Sequence, residues 1–206
     1  GGFVVTWSGQ DGNSDGVKAR LFDAAGTPLG GEFVVNAYTT GDQYYSTVGM
    51  DAAGNFVVVW QGGENDGSLD QALAARRFTA DGVTLVADFT VNTTLYGPTH
   101  APPVAVAPTG EFVLAWETFT DNPPAHPSSW IASAARRFAA DGTPGGPEFF
   151  VDSLVSRYQY EPDIGVSADG TFMVVWGDYR NFFDGNEHPE ESSSSVIARI
   201  LPAQSP

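Results

Sequence analysis

Apolar residues in this chain come in runs of five or six that leave no polar face. In Asn55-Phe56-Val57-Val58-Val59-Trp60, alternation sends Phe56, Val58 and Trp60 one way and Val57 and Val59 the other. A strand that is oily on both faces must be covered on both sides. The same phrase appears in Gly2-Phe3-Val4-Val5-Thr6-Trp7, Glu111-Phe112-Val113-Leu114-Ala115-Trp116 and Thr171-Phe172-Met173-Val174-Val175-Trp176.

A second phrase follows each of these: Ala19-Arg20, Ala75-Arg76, Ala135-Arg136 and Ala198-Arg199. A third occurs as Glu32-Phe33-Val34-Val35-Asn36, Asp88-Phe89-Thr90-Val91-Asn92 and Glu148-Phe149-Phe150-Val151-Asp152, and a looser fourth at Val48–Met50, Val104–Val106 and Ile164–Val166. Named A (loose), B (Trp), C (Arg) and D (Phe-x-Val-Asn), the strands read BCD, ABCD, ABCD, ABC.

Spacing separates frame from variable parts. From Arg20 to Trp60, Arg76 to Trp116 and Arg136 to Trp176 the distance is 40 residues each time, whereas from each Trp to the following Arg it grows from 13 to 16, 20 and 23. Insertions are tolerated where the chain leaves a sheet, so the spacing predicts a repeated β module with one variable connection per unit. Gly54, Gly110 and Gly170 before the B strands, and Gly26, Gly82 and Gly142 after the C strands, fit hairpin turns that need positive φ. The predicted fold is all-β, a β-propeller or part of one. It is a single repeat domain over 1–206, with about four degenerate four-stranded units at 1–42, 43–98, 99–158 and 159–206. A β-solenoid or a pair of stacked sheets is the alternative.

The phrases resemble a repeat of large secreted or surface-exposed bacterial proteins, in which Gly-x-Phe-Val-Val-x-Trp, Asp-Gly, Arg-Phe-Asp-x-x-Gly and Glu-Phe-x-Val-Asn recur. The similarity runs along essentially the whole chain. Residues 1–60 match best, through Gln10-Asp11-Gly12, Arg20-Leu21-Phe22-Asp23, Gly31-Glu32-Phe33-Val34-Val35-Asn36 and Gly41-Asp42-Gln43. What the resemblance implies is a propeller-type architecture and an extracellular or cell-surface setting, for repeats usually of unassigned activity.

Composition adds constraints. Nine Lys and Arg against 25 Asp and Glu give a net charge of -16, a field that repels phosphate backbones, so nucleic acid is not an expected partner. No apolar run approaches the length of a membrane span, and no cysteine is present to report on redox compartment. The chain opens inside a strand pattern with no signal peptide, as expected for a processed product or a piece of a longer protein.

Several constellations carry candidate chemistry. Arg20, Arg76 and Arg136 each precede an acid by twelve residues, at Glu32, Asp88 and Glu148, the offset at which a C–D hairpin brings cross-strand ion pairs together. Asp11-Gly12-Asn13-Ser14-Asp15-Gly16 fits the opening of a calcium loop, with Asp11, Asn13 and Asp15 as ligands at alternate positions; Phe22 stands where the bidentate Glu belongs. Glu64, Asn65, Asp66 and Asp70, and Asp184, Asn186 and Glu187, are less regular versions. The longer B–C connections gather His126, Trp130, Tyr179, Phe182 and His188, a set that can stack on sugar rings or peptide and hydrogen-bond hydroxyls.

Three functions remain open. The first is a non-catalytic extracellular module that presents loops 8–18, 61–73, 117–133 and 177–196 to a protein partner or to other copies of itself. The second is a lectin-like binder of glycans assisted by calcium. The third is a glycoside hydrolase using a pair of carboxylates. None of the three histidines lies in a nucleophile motif, so the expectation is that the chain is not an enzyme.

Overall fold

The computed structural model describes residues 1–62, 72–93, 101–119, 131–152, 158–179 and 194–203. Fourteen strands form four antiparallel sheets. Sheet 1 is β1 (Phe3–Gln10), β2 (Asp15–Phe22) and β3 (Phe33–Val34); sheet 2 is β4 (Tyr44–Met50), β5 (Phe56–Gln61), β6 (Leu73–Phe78) and β7 (Thr84–Thr90). Sheet 3 is β8 (Val104–Val106), β9 (Phe112–Phe119), β10 (Ile131–Phe138) and β11 (Phe149–Phe150); sheet 4 is β12 (Tyr158–Val166), β13 (Phe172–Tyr179) and β14 (Ser194–Leu201). Within each sheet the strands are neighbours in chain order, so the BCD, ABCD, ABCD, ABC reading is the observed topology. Among the described residues no helix is long and apolar enough to cross a membrane.

The two oily faces of each B strand are used by two different neighbours. Phe56, Val58 and Trp60 pack back on Val17, Ala19 and Val35 of sheet 1. Val57 and Val59, with Leu73, Ala75 and Val91, pack forward on Phe112, Leu114 and Trp116 of sheet 3. Sheet 3 repeats the pattern, its Val113, Ala115 and Ala135 meeting Phe172, Val174 and Trp176 of sheet 4. Sheets 2, 3 and 4 therefore lay the Phe/Trp face on the preceding sheet, and sheets 1, 2 and 3 lay the Val/Ala face on the next. Trp60, Trp116 and Trp176 are buried, which removes more apolar surface from water per residue than any other side chain supplies.

The six A–B and C–D hairpin turns share one geometry. In the β4–β5 turn Asp51 N donates to Asn55 O and Gly54 N to Asp51 O, and the β2–β3, β6–β7, β8–β9, β10–β11 and β12–β13 turns repeat both bonds. The glycine of each sits at φ between 82° and 95°, the region where a Cβ would be strained. Of the A strands, β8 matches the sequence pattern, while β4 and β12 are longer than it indicates. β4 and β12 each carry a bulge, between Tyr44 and Thr47 and between Tyr160 and Asp163, with Tyr45 and Glu161 at positive φ. Two of the D strands, β3 and β11, hold two residues each and are shorter than their phrases, whereas β7 holds seven.

Two of the three expected C–D ion pairs form. Arg76 Nε lies 2.9 Å from Asp88 Oδ1, and Arg136 Nη1 3.8 Å from Glu148 Oε1. Glu32 instead pairs with Lys18 at 2.7 Å, and Arg20 Nε donates to Gly30 O. The reason lies between sheets. Asp88 Oδ2 accepts from Ala37 N, and Glu148 Oε1 from Thr93 N, so each acid is held against the preceding sheet's chain just after its D strand. Sheet 1 has no such neighbour among the described residues, and Glu32 turns to the nearest cation on its own sheet.

Candidate interaction surface

Because the sheets share one strand order and sheets 2, 3 and 4 pack the same face backward, the B strands end, and the C strands begin, at one end of the array. The first B–C connection, Asp11–Ser14, is described in full. Asp11 Oδ1 accepts from Asn13 N and Ser14 N at 3.1 and 3.2 Å, and Asp11 Oδ2 accepts from Asn36 Nδ2 at 2.9 Å. Burial raises the Asp11 pKa, but the bonds from Asn13, Asn36 and Ser14 outweigh it and hold the carboxyl below its ordinary value of 3.8. Gly16 completes the turn, since a Cβ there would lie 2.6 Å from Asp11 Cβ.

Asn36 is the hub of this end. Its Oδ1 accepts from Val17 N at 2.8 Å, and its Nδ2 also donates to Tyr38 O and Gln43 Oε1. Gln43 Nε2 donates to Gly41 O, and Asn13 Nδ2 to Thr39 O, so the B–C turn, the C strand and the D–A connection are tied to one side chain. Unit two keeps the central bond, Leu73 N to Asn92 Oδ1 at 2.7 Å. Unit three has Asp152 in place of asparagine. There the equivalent donor, Ser133 N, is accepted by Gln159 Oε1 at 2.9 Å, while Gln159 Nε2 donates to Asp152 Oδ2 at 3.1 Å. The glutamine takes over the acceptor role toward the strand and supplies the carboxylate with a donor. Sequence reasoning quoted Gln43 only within the phrase Gly41-Asp42-Gln43 and did not single out Gln159; the available signal was their common offset of seven residues from Asn36 and Asp152.

The calcium-loop residues thus have structural occupations. N–H donors point at both oxygens of Asp11, the Asn13 amide donates to a carbonyl, and the exposed Asp15 uses its main chain, accepting from Gln43 N at 2.7 Å. Among the described residues no group of three or more His, Asp or Glu is placed to hold a metal ion. His126, Trp130, Phe182 and His188 lie outside the described residues, as do residues 64–70 and 184–187; Tyr179 ends β13, and its side chain is likewise outside.

A cleft of about 330 Å³ opens on the seam between sheets 1 and 2, lined by Tyr38, Trp60, Arg76, Asp88 and Phe89 among others. Its charged groups are already engaged: Arg76 with Asp88 and with Val35 O, Asp88 with Ala37 N. The cleft is part of the inter-sheet joint.

No family model and no curated protein sequence matches the chain. Solved structures do. An endo-arabinase from Bacteroides thetaiotaomicron superposes with a TM-score of 0.54 at 14% identity, over 99% of this chain and 72% of that one. The fold is that of a section of a β-propeller. The tricorn protease superposes with a TM-score of 0.52 at 12% identity, over 97% of this chain and 17% of its own. Identities this low speak for architecture alone. The four sheets are accordingly propeller blades, and the end that carries the B–C connections is one rim of the array.

Proposed function

We propose that this chain is a non-catalytic structural and interaction module that displays its B–C connections from one rim of a propeller scaffold to a protein partner, in an extracellular or cell-surface setting. The observation that supports this is the contrast between a frame held at 40 residues from Arg to Trp and connections that lengthen from 13 to 23 residues. Blade packing constrains the first and leaves the second free to vary.

The test replaces residues 121–129 and 181–192, separately and together, by Gly/Ser segments of equal length. The expected result is thermal midpoints within a few degrees of the parent and no sugar release by parent or variants from arabinan or xylan. Turnover that disappears with a single loop acid would overturn the reading in favour of a hydrolase. The lectin-like alternative rests on His126, Trp130, Tyr179, Phe182 and His188. A glycan array with Trp130→Ala and Tyr179→Ala controls, run with calcium and with chelator, decides it: glycan retained by the parent and lost in the controls would replace the protein-partner reading.

A further inference from the structure

The joints between sheets are built on one plan, and the third departs from it at three places around Trp176. In the first joint Trp60 packs in one cluster with Val17, and in the second Trp116 packs in one cluster with Leu73. The same place in the third joint is held by Ser133, which stands opposite Glu117 as Leu73 stands opposite Gln61. Two residues after the tryptophans come Gly62, Thr118 and Asp178, and their neighbours on the C strands are Ala72, Ala132 and Ser195. Apolar or small residues in two joints thus become serine, aspartate and serine in the third.

The three polar residues meet. Gln159, Asp178 and Ser195 stand side by side across sheet 4, on the face that Trp176 turns toward sheet 3. Ser133 reaches that row from the opposite side, since its N donates to Gln159 Oε1 at 2.9 Å. Ser133 and Asp178 have no exposed surface, and Trp176 has almost none. Yet Ser133 Oγ, Ser195 Oγ and Trp176 Nε1 are buried with no hydrogen-bond partner among the described residues. Buried polar groups are otherwise paired, because leaving one dry forfeits its hydration with nothing in return.

We propose that the third joint holds ordered water between Ser133, Trp176 and Ser195. Water supplies what the three groups lack, an acceptor for the indole N–H and a donor or acceptor for each hydroxyl. An apolar occupant offers neither. The buried Asp178 carboxylate disfavours an anion, and the indole N–H, a donor only, disfavours a cation. Space comes from Ser133, whose side chain is shorter than the valine and the leucine at its place in the other two joints. The site lies inside the blade stack and stands apart from the loop-display reading.

Crystal structures of the parent and of Ser133→Val test it. In the parent an ordered water is expected at about 3 Å from Trp176 Nε1, bonded also to at least one of the two serine hydroxyls. Ser133→Val installs the residue of the first joint and is expected to close the space and lose the water. A parent with no water within hydrogen-bond distance of Trp176 Nε1, or with a protein group or an ion bonded there instead, overturns the proposal. So does a water that persists beside Trp176 in Ser133→Val, since Ser133 then has no part in holding it. The parent structure decides by itself where the variant does not fold.

Discussion

Arg76 of β6 donates through Nη1 to the main-chain oxygen of Val35 at 2.7 Å, reaching from one blade to the D strand of the blade before it. Arg136 does the same to Val91 O at 2.8 Å and Arg199 to Val151 O at 2.8 Å. The valine is the one in Phe-x-Val-Asn, so two of the repeated phrases join across every blade boundary. The guanidinium also lies over a ring, Arg76 over Phe78 and Arg136 over Phe138, which shields the bond from water.

The first prediction follows from that staple. Arg136→Ala removes a charge-assisted bond to Val91 and leaves Glu148 without its cation, and should lower unfolding free energy in a urea titration by about 2–3 kcal/mol. Arg136→Lys should recover less than half, because an ammonium cannot reproduce the fork. Arg20→Ala should cost under about 1 kcal/mol, since its described bond, Nε to Gly30 O, stays within an exposed edge blade.

A second joint is ionic and buried. Arg77 Nη2 meets Asp51 Oδ2 at 2.8 Å, Arg77 Nη1 donates to Ala140 O, and Asp51 Oδ1 caps its turn by accepting from Ala53 N and Asn55 N. Arg77→Met should destabilise by about 3–5 kcal/mol, because it leaves the carboxylate buried without its cation. Adding Asp51→Asn to that variant should cost less than Asp51→Asn does alone, and a double-mutant cycle measures the coupling.

Unit three offers a test of the polar hub. Gln159→Ala should cost about 1–2 kcal/mol by orphaning Ser133 N. In an Asp152→Asn background the same change should cost less, since an asparagine there can accept from Ser133 N as Asn36 does from Val17 N. Equal costs in the two backgrounds would contradict the proposed exchange of roles.

Three of the B-strand tryptophans should separate by position. Trp60→Ala and Trp116→Ala each empty a joint closed on both sides and should cost about 3–5 kcal/mol. Trp7→Ala, on the open face of sheet 1, should cost under about 1.5 kcal/mol when measured on monomer. Near-equal losses would mean that this face is covered in solution.

Acid should loosen the Asp11 turn. Asp11 is held below 3.8, so its stabilising contribution is complete above that value and is lost as pH falls through the lowered folded value. Hydrogen exchange at Asn13 and Ser14 should accelerate over that interval. Asp11→Asn should remove the pH dependence there and leave the blade joints unchanged.

The strand inventory and its order were legible in the sequence, because a doubly apolar run such as Phe56–Trp60 has few other ways to hide, and because constant Arg-to-Trp spacing marks what packing holds fixed. The glycine turns were legible for the same local reason, positive φ. The partners of the repeated charges were legible at Arg76 and Arg136 but not at Arg20. Glu32 matches Asp88 and Glu148 in phrase and offset, yet only a preceding blade gives such an acid something to clamp, and neighbours across a joint are not written in local spacing. Nor did the Asp11 loop declare its hydrogen-bond partners; alternating Asp, Asn and Asp suits a cation or a turn, and the bond from Asn36 to Asp11 joins residues 25 positions apart. Local preference and period define the elements and their faces, while the identity of what each face and charge meets depends on chain segments some 40 residues away and is decided only when the blades stack.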